Sequence, residues 1–173
     1  GFLRILGIDP GTVLFGYGLL DEGESALDWG VISCPRRQQL PYRLHHLYSR
    51  LLDLVDKLQP SEMTVEEPFV PGENRDLRTG IIVGQAQAVA LMVSAARNIP
   101  IARYSPTKVK SAVAGHGGSS KSQVQEMVRL QLGLQSPPEP QDAADALAVA
   151  LCHSRLRKLQ KLLAEQPPSK GIM

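Results

Sequence analysis

The chain has 173 residues, 43% of them apolar and 21% charged, with a formal net charge of +2. Those proportions are those of an ordinary globular chain of one domain and exclude a disordered one, which has fewer apolar residues and more net charge. Its two cysteines, Cys34 and Cys152, lie far apart without CxxC spacing, which excludes a disulfide framework and a zinc knuckle.

Leu3 to Ile8 is an apolar run ended by Asp-Pro-Gly, the pattern of a buried strand entering a turn. Gly16 to Leu20 and Leu27 to Cys34 follow with brief polar links, so the first three strands read as an antiparallel meander. From Pro41 to Leu58, Leu44, Leu47, Leu51, Leu54 and Leu58 recur at helical spacing, and Gln59-Pro60 stops the helix. Met63 to Val65 predicts a fourth strand, and the turn-rich stretch from Phe69 to Arg78 a surface loop. Thr79 to Asn98 predicts a long, mostly buried helix, and Ile99 to Tyr104 a fifth strand. Pro106 to Ala114 and Ser120 to Leu132 are expected helices separated by Gly115-His116-Gly117-Gly118. A Pro-rich connector at 137–140 then leads into a last helix from Asp142 to Leu163. The expected architecture is α/β, a mixed five-stranded sheet flanked by helices. Residues 1–164 are expected to form one domain, and 165–173 a frayed tail. Charges are expected to interrupt every apolar run well short of the roughly 20 residues of a membrane span. Arg4, Asp9 and the Gly/Pro turn do not fit a secretory leader. The expectation is a reduced, cytoplasmic chain.

Charge is unevenly divided. Residues 1–100 hold 9 Lys and Arg against 12 Asp and Glu, and residues 101–173 hold 10 against 5. A carboxylate-bearing half joined to a basic half is compatible with an anionic polymer as partner, and equally with an uneven solvated surface. Asp9 ends the first strand between flexible glycines, where α/β sheets collect ligand-binding groups; capping its own turn is the competing role. Glu66 and Glu67 end the fourth strand on opposite faces, so only one of them can point at Asp9. Asp142 and Asp145 open the last helix on one face. Asp142 alone is accounted for by the helix dipole, whereas Asp145 lies among small apolar residues and needs a partner. Four hard oxygen donors without a His/Cys cluster suit Mg²⁺ or Mn²⁺ rather than zinc. Two such ions held by carboxylates are the recurrent apparatus of phosphodiester displacement, which points to a nuclease.

GHGGSSKS, residues 115–122, superficially resembles a phosphate-binding P-loop but has Ser120 where that pattern needs Gly, and a helix precedes it. It reads instead as a Gly-rich loop feeding a helix, with Lys108, Lys110 and Lys121 placed to contact phosphates. His45, His46 and His116 read as surface residues. His153 falls on the inner pattern of the last helix, behind the acids.

LGIDPGT with GYG after it, TVEEPF, KVK…GHGGSSKSQVQ and DAADALAVALCH occur in order from Leu6 to His153. Together they resemble the RuvC-type Holliday-junction resolvases. The resemblance implies a ribonuclease-H-like fold and a homodimer that nicks two strands symmetrically at a four-way DNA junction, in recombination and repair. It also implies two Mg²⁺ or Mn²⁺ ions per site, and a junction-binding branch-migration complex as partner. By position it assigns catalysis and metal binding to Asp9, Glu66, Asp142 and Asp145, choosing Glu66 over Glu67. Lys110 and Lys121 match its basic residues beside the scissile phosphate, and Phe69 its junction-wedging aromatic. Pro71-Gly72 lengthens the loop after Phe69, and Gln87-Ala88 replaces a common Arg-Gly. A ribonuclease acting on RNA–DNA hybrid and a non-catalytic junction-binding module are the alternatives. An actin-like ATPase would need a second domain that 173 residues do not supply.

Overall fold

The computed structural model describes residues 2–67 and 77–166. β1 (Arg4–Asp9), β2 (Leu14–Asp21) and β3 (Ala26–Ser33) are followed by α1 (Leu40–Leu58) and β4 (Glu62–Glu66). After them come α2 (Leu77–Arg97), β5 (Ile101–Tyr104), α3 (Pro106–Ala114), α4 (Lys121–Gln131) and α5 (Gln141–Ala164). The strands form one sheet in the order β3-β2-β1-β4-β5. β1, β2 and β3 pair antiparallel, as short links allow, while β4 and β5 run parallel to β1 and are reached through the crossover helices α1 and α2. The expected mixed five-stranded sheet is therefore the observed one.

Alternation along the strands divides the interior in two. Leu6 and Ile8 of β1, Phe15 and Leu19 of β2, and Met63 and Val65 of β4 face α1 and α2. There they meet Leu47, Leu51 and Val55 of α1 and Ala86, Val89, Ala90 and Val93 of α2. α1 begins with a proline in its first turn and ends at Gln59 in the left-handed conformation (φ 51°), whose N–H donates to the Val55 carbonyl. Leu44 and Leu54, expected on the buried stripe, are half-buried at its edges.

The other face is covered by α5, which crosses β1, β2, β3 and β4 and is itself covered by α3 and α4. Sandwiched in this way, α5 buries an unbroken run from Ala146 to Cys152 rather than a stripe. Small residues let it approach closely. A Cβ on Gly7 would collide with the Ala146 carbonyl and the Ala150 methyl, and one on Gly16 with the Asp142 carbonyl.

Three expectations need correction. α2 buries one side only, where a mostly buried helix was expected. α2 starts at Leu77, inside the stretch read as loop. The apolar runs are also not all interrupted by charge: 79–96 has no charged residue, and α2 is long and apolar enough to cross a membrane by length and composition. In this fold α2 is a core helix on one side, burying Ala86, Val89, Ala90 and Val93, while Leu77, Ile81 and Met92 stand exposed on the other.

Candidate active site

Asp9 is the last residue of β1, opposite Gly16 of β2. The parallel pairing of Ile8 with Val65 puts Glu66 beside it, at the same end of the sheet. The close approach at Gly16 brings the backbone of Asp142 over that end, and Asp145 follows one turn later. Three secondary-structure elements thus deliver the four expected acids to one place.

Their electrostatics show that they share it. Asp9 is pushed up from the ordinary 3.8 to about 8, first by burial and then by the charges of Asp145, Glu66 and Asp142, with Lys121 pulling the other way. Glu66 is pushed up from 4.5 to about 7 by burial and Asp145, opposed by Lys121 and Lys110. Burial and Asp142 raise Asp145 as well, against the ammonium of Lys121, whose Nζ lies 3.0 Å from Asp145 Oδ2. Lys121 is the partner that a carboxylate on α5 required. It is placed by α4, which Ser120 opens with a capping box: the Ser120 hydroxyl accepts from the Gln123 N–H, and the Gln123 side chain accepts from the Ser120 N–H.

The remaining expected residues separate. Glu67 turns away and pairs at 3.6 Å with Arg103, both largely exposed, so the fold selects Glu66 as the inward carboxylate. Lys110 acts electrostatically on Glu66, while the Lys108 side chain is exposed and its backbone carbonyl accepts from the Cys152 thiol at 3.9 Å. His116 is internal to its loop, its Nδ1 accepting from the Gly118 N–H at 2.9 Å. Gln87 is buried and its amide nitrogen has no partner among the described residues; Ala88 is exposed. Phe69, expected as the wedge, and the Pro71-Gly72 insertion lie outside the described residues. Arg43, which the sequence reading did not single out, donates to the Thr12 carbonyl at 3.0 Å and to its hydroxyl at 2.6 Å. It thereby ties α1 to the turn after Asp9, a contact across 31 positions that no local pattern announces.

Oxygen-only donors that repel one another suit a hard divalent cation, and on that chemistry the cluster fits Mg²⁺ or Mn²⁺. Among the described residues no three acids close tightly enough around one point to cage an ion as they stand, and Lys121 supplies the cation on Asp145.

The sequence model of the family described as "Crossover junction endodeoxyribonuclease RuvC" matches residues 5–153. The chain belongs to the RuvC family. A RuvC crossover junction endodeoxyribonuclease from Dehalococcoides mccartyi is 42% identical over 166 residues, 94% of this chain and 98% of that one. Another, from Chloroflexus aggregans, is 46% identical over 155 residues, 88% and 93% of the two chains. Among solved structures, Thermus thermophilus RuvC in complex with a Holliday junction substrate superposes with a TM-score of 0.81 at 30% identity, covering 91% of this chain and 96% of that one. The yeast mitochondrial Holliday junction resolvase Ydc2, 20% identical with a TM-score of 0.65, shares the fold. That fold is the ribonuclease-H-like sheet of RuvC, and the four acids lie at one end of it.

Proposed function

We propose that this chain, a junction-resolving endonuclease by family, nicks four-way DNA junctions at the carboxylate cluster of Asp9, Glu66, Asp142 and Asp145. The observation that carries the assignment is the convergence of the four acids at one end of the sheet, where burial and the charge of Asp145 raise both Asp9, to about 8, and Glu66, to about 7, as in a cluster completed by positive charge. Two ions of the Mg²⁺ or Mn²⁺ type, when bound, supply positive charge against the negative charge that develops on the phosphate. The chain's own residues hold and orient. Asp9 and Glu66, fixed at strand ends, form the rigid side of the site, and Asp142 and Asp145 close it from α5. Lys121, paired with Asp145, is placed to reach a phosphate oxygen, and Lys110 approaches the same strand from α3. Lys108, exposed on α3, is a contact to phosphates further along the strand.

Phe69, three residues beyond Glu66, is the aromatic that unstacks the crossover, and stacking of this kind is worth about 1–3 kcal/mol per base. Residues 1–164 act as one nuclease unit in the cytoplasm, in recombination and repair, beside a junction-binding branch-migration complex. Paired nicks require two sites related by a two-fold axis. The exposed Leu77, Ile81 and Met92 of α2 fit a second copy of the chain. Ile81→Asp is expected to give a monomer in sedimentation and to uncouple the two nicks of a junction. A dimer with unchanged paired cutting removes α2 from the interface.

Cleavage of a four-way junction, an RNA–DNA hybrid and a linear duplex, each with and without Mn²⁺, tests the reading. Metal-dependent cutting of the junction alone is expected. Preferential cutting of the hybrid overturns it in favour of a ribonuclease, and binding without cutting in favour of a junction-binding module.

A further inference from the structure

Where α5 crosses β1 the contact is close. Gly7 meets Ala146 and Ala150 there, while Leu147 reaches over Gly18 of β2 and is buried with Ile5, Leu20 and Leu151. The glycine–alanine part of this contact permits close approach but offers few interlocking side chains against sliding along the strand. At one end of it the acids of α5 and β4 repel each other. A polar contact further along the helix bears on its register.

That contact lies two turns along α5. The Tyr104 hydroxyl at the end of β5 is hydrogen-bonded to His153 Nδ1 at 2.7 Å, and His153 Nε2 lies 2.7 Å from Glu62 Oε2 at the start of β4. Arg157 donates to the other Glu62 oxygen at 3.1 Å. Burial, followed by Cys152 and Glu62, pushes the Tyr104 phenol up to about 12, so it remains a proton donor. A carboxylate only accepts, so the bond to Glu62 places a proton on Nε2 of His153. Among the described residues, the polar contacts between α5 and β4 are those that Glu62 makes with His153 and Arg157.

The spans match. Asp145 and His153 are separated by about 12 Å along a helix, and Glu66 and Glu62 by about 13 Å along a strand on the same face. α5 runs antiparallel to β4, so the two helix residues stand over the two strand residues, one pair repelling and one pair bonded. Thr64, between the two glutamates on that face, has a buried hydroxyl without a partner among the described residues and adds no restraint.

We propose that His153 is a positioning residue for the nuclease site: by joining Tyr104 and Glu62 it sets the placement of α5 on β4, and hence the separation of Asp145 from Glu66. It touches neither substrate nor reacting atoms. The inference rests on the reading that these acids hold a divalent cation.

The test compares His153→Ala, His153→Gln and Ser154→Ala with the unaltered chain. Ser154 anchors the same stretch of α5, but through Glu24 in the turn between β2 and β3, away from Glu66. Two quantities are read: the Mn²⁺ concentration for half-maximal junction cleavage, and the Mn²⁺-induced rise in Tm without DNA. Partners that orient metal-binding groups typically alter affinity about 10- to 100-fold. His153→Ala is expected to raise the Mn²⁺ midpoint by that order and to diminish the Tm rise, with junction binding in chelator within twofold of normal. His153→Gln, whose amide can still donate to Glu62, is expected to recover most of the loss and also serves if the alanine variant does not fold. Ser154→Ala is expected to lose stability with its Mn²⁺ midpoint unchanged. If His153→Ala keeps a normal midpoint, or Ser154→Ala shifts it equally, His153 is an ordinary stabilising residue and the inference fails. If instead Asp145→Asn leaves the Mn²⁺-induced rise in Tm unaltered, it is the metal assignment that fails.

Discussion

The two faces of the sheet differ in how closely their helices approach. Against α1 and α2, leucine, isoleucine, valine and phenylalanine side chains interlock and are almost fully buried. Against α5, Ile5, Leu20, Leu147 and Leu151 are buried as well, but beside a line where glycine meets alanine so closely that an added methyl collides with backbone. The first face holds the molecule together through buried apolar area. The second adds proximity to burial, and it is the one that brings Asp142 and Asp145 to Asp9 and Glu66. A stabilising face tolerates the loss of a methylene at a graded energetic cost. A face that sets distances between charges tolerates little displacement.

The largest expected effect breaks the second face at its acids. Asp9→Asn, Glu66→Gln, Asp142→Asn and Asp145→Asn should each lower junction cleavage by about three orders of magnitude or more, the scale of several kcal/mol of lost charge stabilisation. Junction affinity in a gel-shift assay should remain equal or rise, because negative charge is removed while the lysines remain. An amide variant that cuts at near-normal rate removes its residue from the site.

A smaller effect separates the faces directly. Gly7→Ala adds one methyl under Ala146 and should cut the cleavage rate by about 100-fold, as displacements near 1 Å can do. Leu51→Ala, on the opposite face, should cost about 2–5 kcal/mol in chemical denaturation yet leave cleavage near normal wherever the variant is folded. The comparison collapses if the two variants lose activity and stability in the same proportion.

The smallest effect concerns pH. With Asp9 held up near 8 and Glu66 near 7, the folded state without metal keeps protons that the unfolded chain has released. The native state binds more protons over this interval, so stability falls as pH rises from about 4 toward 8. Asp9→Asn abolishes part of that penalty. Its Tm should equal that of the unaltered chain near pH 4 and exceed it by several degrees at pH 9, at about 2–4 °C per kcal/mol relieved. Added Mn²⁺ should narrow the gap by stabilising the unaltered chain. A Tm difference independent of pH places Asp9 outside any charged cluster.

Much of this design can be read in the chain itself. Short apolar runs ended by Asp-Pro-Gly and Glu-Glu-Pro announce β1 and β4 and put carboxylates at their tips, because strand periodicity is local. The leucine spacing announces α1 for the same reason. The partner of Asp145 is not legible, since Lys121 lies 24 positions away and reaches it only after α4 packs on α5. Nor is the second role of α2: a run of 18 uncharged residues reads as mostly buried, and only the packing shows which side is left open. His153 is the intermediate case. Its place on the inner pattern of α5 is visible, but its bonds to Tyr104 and Glu62 span 49 and 91 positions.

The register of α5 on the sheet has a consequence for heredity as well as for chemistry. One residue added or removed between Asp145 and His153 turns the two ends of the helix by about 100° relative to each other. No single exchange elsewhere restores both Lys121 to Asp145 and Glu62 to His153. Substitutions can accumulate along this segment and insertions cannot, so its length should be invariant among working descendants of the gene.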